Sequence, residues 1–565
     1  MSVITLEIKP DRLLMDPNFD GYKLSLEELK FSKQNLKIPT GKALLNPSKS
    51  GLLHAKLFGL HNHLIYDRFD QFFSVYFIDK QFNIQKAYVD NDSEQLVEPV
   101  NVYSIPNERD VATGDYNATL CFASPEYAVA SDGMGLLYVL NTKDKKNDDQ
   151  FECVFSDKVL DNGEKGFVVS DALYHSGKQE LHVLLLHIEE DDSNRFVSVI
   201  HWLTFKGSFD NNWGQVGLKQ LKTKGEIQYL HLEINCDHVY VVSENPVKFT
   251  LNSEHPIEEN IAETQRKNYQ WIQNFEDITL RYPLEQNCQK NLIKVIAENR
   301  KITISYNANT LLEGELGGPI DASLLTWSLV GDILEVSIVK SDPTMWSKFI
   351  KEDQQGEHLI EPINERPQGL TRETEMVPQS GQTFHSQQIE ECDFETDKSE
   401  VFLRISGLSN KVTHQIHLGS HQVLLSQYLD SVQPPALGIR RDVDVCLWQP
   451  KLDQDGNFFC KHEGTLLAFG YVQASKTNRK YLSCSPNLSY SVVSESAGHI
   501  FIYRQNKPLL GGNLRNRTTG QQVKNVAQQQ VFHLINEDIL GIVAANQYLY
   551  ILGETFILVL ILNDS

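Results

Sequence analysis

The chain has 565 residues, of which 41% are hydrophobic, 22% charged and 10% aromatic; this is the balance of a folded globular protein with room for several domains. Its formal net charge of −22 disfavours direct nucleic-acid binding and docking on an anionic membrane surface, because both rest on Lys and Arg contacts to phosphate. Eight cysteines without a CxxC pair signal neither a zinc site nor a disulfide framework.

The opening segment, MSVITLEIKPDRLLMD, lacks the apolar stretch of a secretory signal, and the longest apolar run, Phe556 to Leu562, is too short to span a bilayer. An intracellular protein in a reducing compartment is expected. From about Leu52 to Leu251 the chain repeats short β-rich runs between polar turns: LLHAKLFG, QFFSVYFIDK, YAVASDGMGLLYVLNT, LHVLLLHI and RFVSVIHWLTF. Strands at this spacing read as a sandwich, barrel or propeller. Asp132-Gly133 marks a tight hairpin turn between an inner pair of strands.

Residues Tyr269 to Ile350 have their own character. Ile302, Ile304 and Tyr306, and later Leu334, Val336 and Ile338, alternate with polar residues, which marks strands with one buried and one wet face. A compact antiparallel sandwich is the reading. Between 351 and 400 there are 13 Asp or Glu against 4 Lys or Arg, so this stretch reads as a solvated acidic linker with too little apolar surface to fold alone.

A second series of β-rich runs fills Val401 to Leu562, ending in three consecutive strands within ILGIVAANQYLYILGETFILVLIL. The two series together supply roughly 25 to 28 strands, the number for seven four-stranded propeller blades. No WD dipeptide pattern accompanies them. If they form one ring, early residues must pair with the last strands, since an open ring leaves unpaired backbone edges. The predicted organisation is an all-β protein: a propeller, with seven blades, split by an inserted sandwich. Its parts are residues 1–255, the first part of the propeller; 256–350, the sandwich; 351–400, the acidic linker; and 401–565, the rest of the propeller.

No GxxxxGK, GxGxxG, HExxH or GxSxG motif occurs, so the usual signatures of nucleotide, zinc or serine chemistry are missing. Asp453 to Asn457 (DQDGN) lacks EF-hand spacing and reads as a hairpin turn. On a strand, His61 and His63 would share a face, but no third ligand can be assigned. Glu189-Glu190-Asp191-Asp192 reads as a solvated turn. No catalytic residue, metal or cofactor is predicted, and the chain is read as a non-enzyme. A propeller-borne hydrolase would need acidic or histidine side chains converging in the central channel.

YQWIQ at the start of the inserted segment, LLEGELGGPIDASLLTWSL in its middle and EVSIVKSDPTMWSKFI at its end resemble the CS domain of the NudC family. MDPNFDGYKLSLEEL, SDGMGLLYVL, RRDVDVCLWQP, FGYVQASKTNRKY and IFIYRQ are also similar to that family, so the resemblance covers nearly the whole chain in order. It implies a CS domain of the type shared by small co-chaperones of the ninety-kilodalton heat-shock chaperone, help in folding β-propeller clients, and a cytoplasmic and nuclear location. The positions carrying the motif are Trp271, Gln273, Gly314, Glu315, Leu316, Trp327 and Trp346; they are the candidate partner-binding residues, although buried Trp side chains serve first as core. No N-terminal heptads are present for a dimerising coiled coil, so a monomer is expected. The leading reading is a protein-binding co-chaperone or scaffold, and the alternative is a structural adaptor subunit of a larger assembly.

Overall fold

The apolar runs that alternate least lie in strands with both faces buried. In the strand Val75–Ile78, Tyr76 and Ile78 pack with Leu120, Phe122 and Leu140 of the next sheet. The intervening Val75 and Phe77 pack with Tyr550, Ile557 and Val559 of the last one. The same division of neighbouring residues between two cores recurs at Leu184 and Leu185, and at Val492 and Val493. A sheet covered on both sides needs apolar residues at every position, which is why these strands read as continuous runs.

The computed structural model describes residues 3–70, 73–90, 92–106, 109–143, 150–160, 165–191, 195–207, 213–257, 269–274, 276–284, 288–307, 309–342, 344, 346, 348–351, 356–358, 400–419, 421–508, 525–534 and 537–562. The chain divides into two compact units: 1–257 with 401–416 and 421–565, and 258–400 with 417–420.

The first unit is a seven-bladed propeller. Blade one holds Ile65–Tyr66, Val75–Ile78, Asn83–Ala87 and Val100–Ser104; blade two runs from Thr119–Phe122 to Glu152–Lys158; blade three runs from Val168–His175 to Trp213–Thr223 and gains Lys248–Asn252 at its edge. Blade four is split in sequence: Ile227–Leu232 and His238–Ser243 pair onward with Glu400–Ser406 and Lys411–Gly419. Blades five and six follow from Val423–Gln427 to Phe458–Leu466 and from Arg479–Cys484 to Asn525–His533. In blade seven the three final strands, Ile539–Ala544, Tyr548–Gly553 and Phe556–Ile561, are completed by Lys30–Asn35, antiparallel to Phe556–Ile561 with Lys30 opposite Ile561. The ring therefore closes through hydrogen bonds between the two ends of the chain, as the edge argument requires.

N-terminal to that closing strand, the chain lies along the outer edges of other blades. Ile4–Thr5 adds in parallel to blade four and Tyr22–Leu24 to blade six. The Asp132-Gly133 hairpin is present in blade two, with a loop over 132–135 rather than a two-residue turn. Asp132 Oδ1 accepts the amides of Met134, Gly135 and Leu136. Gly133, at φ +75°, lies so close to the Tyr116 carbonyl that a Cβ would meet its oxygen at 2.1 Å. DQDGN is a hairpin turn in blade five, closed by Asp453 N to Asn457 O at 2.9 Å. Glu189 and Glu190 differ from the sequence reading: they end the strand Glu180–Glu190, and Glu189 binds His187, Lys165 and Lys222 at 2.6 to 2.9 Å. The strand outlasts its apolar run where Lys165 and Lys222 hold the carboxylate.

The second unit is a two-sheet sandwich. Tyr269–Gln273, Asp277–Pro283, Ile320–Val330, Ile333–Lys340 and Gly356–His358 form one sheet; Ile293–Glu298, Lys301–Tyr306 and Asn309–Glu315 form the other. Trp271, Ile278, Leu280, Ile302, Ile304, Leu334, Val336 and Ile338 fill the space between them. The acidic linker expected over 351–400 falls almost entirely outside the described residues. Among the described residues no helix is long and apolar enough to cross a membrane.

Candidate protein-binding site

The motif residues of the sandwich converge on its closing segment. Gln273 brackets the backbone of Trp346: its Nε2 donates to the Trp346 carbonyl at 2.7 Å and its Oε1 accepts the Trp346 amide at 2.8 Å. The same Oε1 accepts from Lys340 Nζ at 2.9 Å, and that ammonium also donates to the carbonyls of Asn274 (2.5 Å) and Thr344 (2.7 Å). Burial pulls the Lys340 pKa down to about 8. Trp346, 5% exposed, thus enters the core with its backbone fastened by a side chain 73 residues earlier.

The Gly-Glu-Leu-Gly-Gly run forms the surface on which this segment lies. A Cβ on Gly314 would meet Ile350 Cγ2 at 2.4 Å, and one on Gly318 would meet Trp346 Nε1 at 2.5 Å. Leu316 is fully buried and bridges Ile350, Gly317 N donates to the Phe349 carbonyl at 2.9 Å, and exposed Glu315 pairs with Lys351. Trp271, 3% exposed, packs near Phe349 with ring centroids 5.9 Å apart. Six of the seven motif positions therefore meet around residues 346–351. Trp327 stands apart, half-buried on the strand Ile320–Val330 with Lys290 Nζ 5.4 Å from its ring centroid. Of the motif tryptophans, Trp271 and Trp346 are buried and Trp327 is partly exposed.

Lys340 was not singled out from sequence, although its signal was there. Leu334, Val336, Ile338 and Lys340 share one phase of a period-two strand, so the lysine faces inward with the apolar residues.

In the propeller the inner strands bring Asp171, His231, Arg68 and Tyr428 together. Asp171 accepts the amides of Leu232 (2.8 Å) and Ala172 (3.0 Å), lies 3.3 Å from His231 Nδ1, and feels the charge of Arg68, whose guanidinium sits 4.7 Å from the Tyr428 ring centroid. The carboxylate's hydrogen bonds are taken up by the protein. His61 and His63 meet edge to face at 4.6 Å beside the closing blade. Among the described residues no three His, Cys, Asp or Glu side chains form a metal-binding group.

Residues 267–340 match the CS domain family. Over 98% of both chains, the sequence is 32% identical to NudC domain-containing protein 1 of Mus musculus; the relative in Xenopus laevis is 30% identical over 99% of both chains. The chain belongs to the NudC domain-containing protein 1 family. Among solved structures, the nuclear movement protein from E. cuniculi GB-M1 is 25% identical, covers 15% of this chain and 98% of its own, and has a TM-score of 0.14. The Cps50 (Swd1) β-propeller domain of Myceliophteria thermophila is 8% identical, covers 89% and 97%, and has a TM-score of 0.35. Family membership, a CS sandwich and a propeller together fit a protein-binding scaffold.

Proposed function

We propose that this protein is a co-chaperone of the NudC family that uses its CS sandwich and its propeller as two separate protein-binding surfaces and catalyses no reaction of its own. One observation carries the reading: the sandwich is spliced into blade four, and the blade re-forms across the splice. Asn252 Nδ2 donates to the Gly407 carbonyl (3.0 Å) and to Asn410 Oδ1 (2.6 Å), and Asn410 Nδ2 donates to the His255 carbonyl (3.1 Å). The last chain before the insert is thereby fastened to the turn that follows the third strand of blade four, so the insert adds a surface without opening the ring.

In this reading the clients include other β-propeller proteins, the ninety-kilodalton heat-shock chaperone is a partner, and the protein acts as a monomer in cytoplasm and nucleus. Trp327, with Lys290 beside it, is the proposed aromatic contact of the sandwich. The test replaces residues 258–399 with a short Gly/Ser linker and compares the proteins that co-purify with each form. Loss of one set of partners with retention of another is the expected result, and an identical set from both forms would count against a role for the CS unit. Stoichiometric migration of the native protein in one large assembly on size exclusion would favour the adaptor alternative.

A further inference from the structure

On one face of the propeller the turns after the first strands of blades one to five surround a pocket of about 450 Å³. Its walls include Phe69, Pro125, Leu173, Ile234 and Val432, with Val432 53% exposed. Behind it the channel is plugged, because Arg68 lies between the Phe69 ring (4.8 Å) and the Tyr428 ring (4.7 Å). The wall is mixed: Ser124, Glu126, His175 and Ser176 stand among the apolar residues.

Beside it stands an aromatic shelf. Tyr127 lies 5.0 Å from Tyr174 and 5.1 Å from Trp213, and Tyr174 lies 6.2 Å from Trp213. Tyr174 is also a pocket residue, and exposed Glu126 lies next to it at the rim, close enough for its charge to raise the Tyr174 pKa alongside burial. Exposed Asp430 precedes Val432 across the opening. Of the cations nearby, Arg68 lies buried behind the Phe69 ring, and Lys178 is committed to Asp237 (2.6 Å) and the Asn235 carbonyl (3.0 Å). Aromatic faces next to a carboxylate attract a Lys or Arg head group, and an apolar pocket alongside takes an apolar side chain.

We infer that this face binds an extended basic segment of a partner protein, with one apolar side chain in the pocket and the adjacent Arg or Lys over Tyr127 and Tyr174 against Glu126. Charge complementarity favours this occupant, since the rim carboxylates act with the whole chain's charge of −22. The inference deepens the protein-binding reading above by naming the chemistry of the propeller's partner.

The test titrates a fluorescein-labelled hexapeptide, Gly-Lys-Leu-Arg-Lys-Gly, with the full-length protein and follows anisotropy. Replacing the peptide's leucine with serine, or introducing Glu126→Lys or Val432→Lys in the protein, is expected to weaken binding about tenfold or more. Asp455→Lys makes the same change of net charge at the blade-five hairpin 453–457, which contributes no residue to the pocket, and is expected to have a much smaller effect. The inference is overturned if the peptide does not bind, if the serine peptide binds as well, or if Glu126→Lys and Asp455→Lys weaken binding equally, which would mark general attraction to an acidic protein. Because the variants here all lie in the propeller, a negative result leaves the partner comparison for the CS unit standing.

Discussion

Arg404 grips Glu233 through two hydrogen bonds, Nε to Oε2 at 2.6 Å and Nη2 to Oε1 at 2.8 Å, between residues 171 positions apart in the chain. One lies just after the first strand of blade four and the other on the third, with the whole inserted unit between them in sequence. Glu233 is fully buried and Arg404 is 6% exposed. The pair fastens the blade at the point where the chain interrupts it.

Removing one member strands a buried charge, so Arg404→Ala is expected to destabilise the propeller by about 3–5 kcal/mol. Glu233→Gln with Arg404→Met together should cost less than Arg404→Ala alone. Denaturant unfolding monitored by tryptophan fluorescence checks both. Burial by itself would raise the Glu233 pKa, yet hydrogen bonds from His238 and Arg404 outweigh it and hold the group at about 2. Its contribution is thus present above the unfolded carboxylate range and lost as pH falls through that range towards 2.

Gln273→Ala removes the acceptor and donor that bracket Trp346 and one of the three acceptors of Lys340. A loss of about 2–4 kcal/mol is expected, confined to the sandwich. Hydrogen exchange should show faster amide exchange around 346–351 and unchanged protection in the propeller blades.

The Lys340 pKa of about 8 lies below the ordinary lysine value of 10.5 because the group is buried. Between these values the unfolded chain carries more protons than the folded one, so this group makes the sandwich more stable as pH rises from about 8 to 10.5. Lys340→Met should remove that dependence. The comparison is a set of unfolding curves across this range for the wild type and the variant.

Burial holds the His61 pKa near 4 and that of His63 near 2, the latter helped by His61, Lys480 and Lys42. Below 6.5 the unfolded chain takes up protons that the folded ring refuses, so stability falls as pH drops from 6.5 towards 4. The loss should be on the order of 5 kcal/mol for the two groups together, and His61→Gln with His63→Gln should move the acid-unfolding midpoint to lower pH. Acid titration followed by circular dichroism measures the midpoint.

Much of the architecture is legible one residue at a time, because it depends on local period. Ile302 and Ile304, and Leu334, Val336 and Ile338, alternate and line a one-sided core. Runs such as FVSVIHWLTF do not alternate, because both of their faces are covered. The motif residues were legible as a set, but their burial and mutual contacts were not.

By itself the sequence determined that the chain is all-β, that a distinct two-sheet unit interrupts a ring of blades, and that the ends of the chain must pair to close that ring. These follow from periodicity and from the cost of unpaired strand edges, both of which are written locally. Only the tertiary structure decided that the interruption falls inside blade four, that Gln273 holds Trp346 and accepts from Lys340, and that Tyr127, Tyr174, Trp213 and Glu126 share one rim. Those arrangements join residues tens to hundreds of positions apart, and a polar or aromatic side chain carries no period that announces its distant partner.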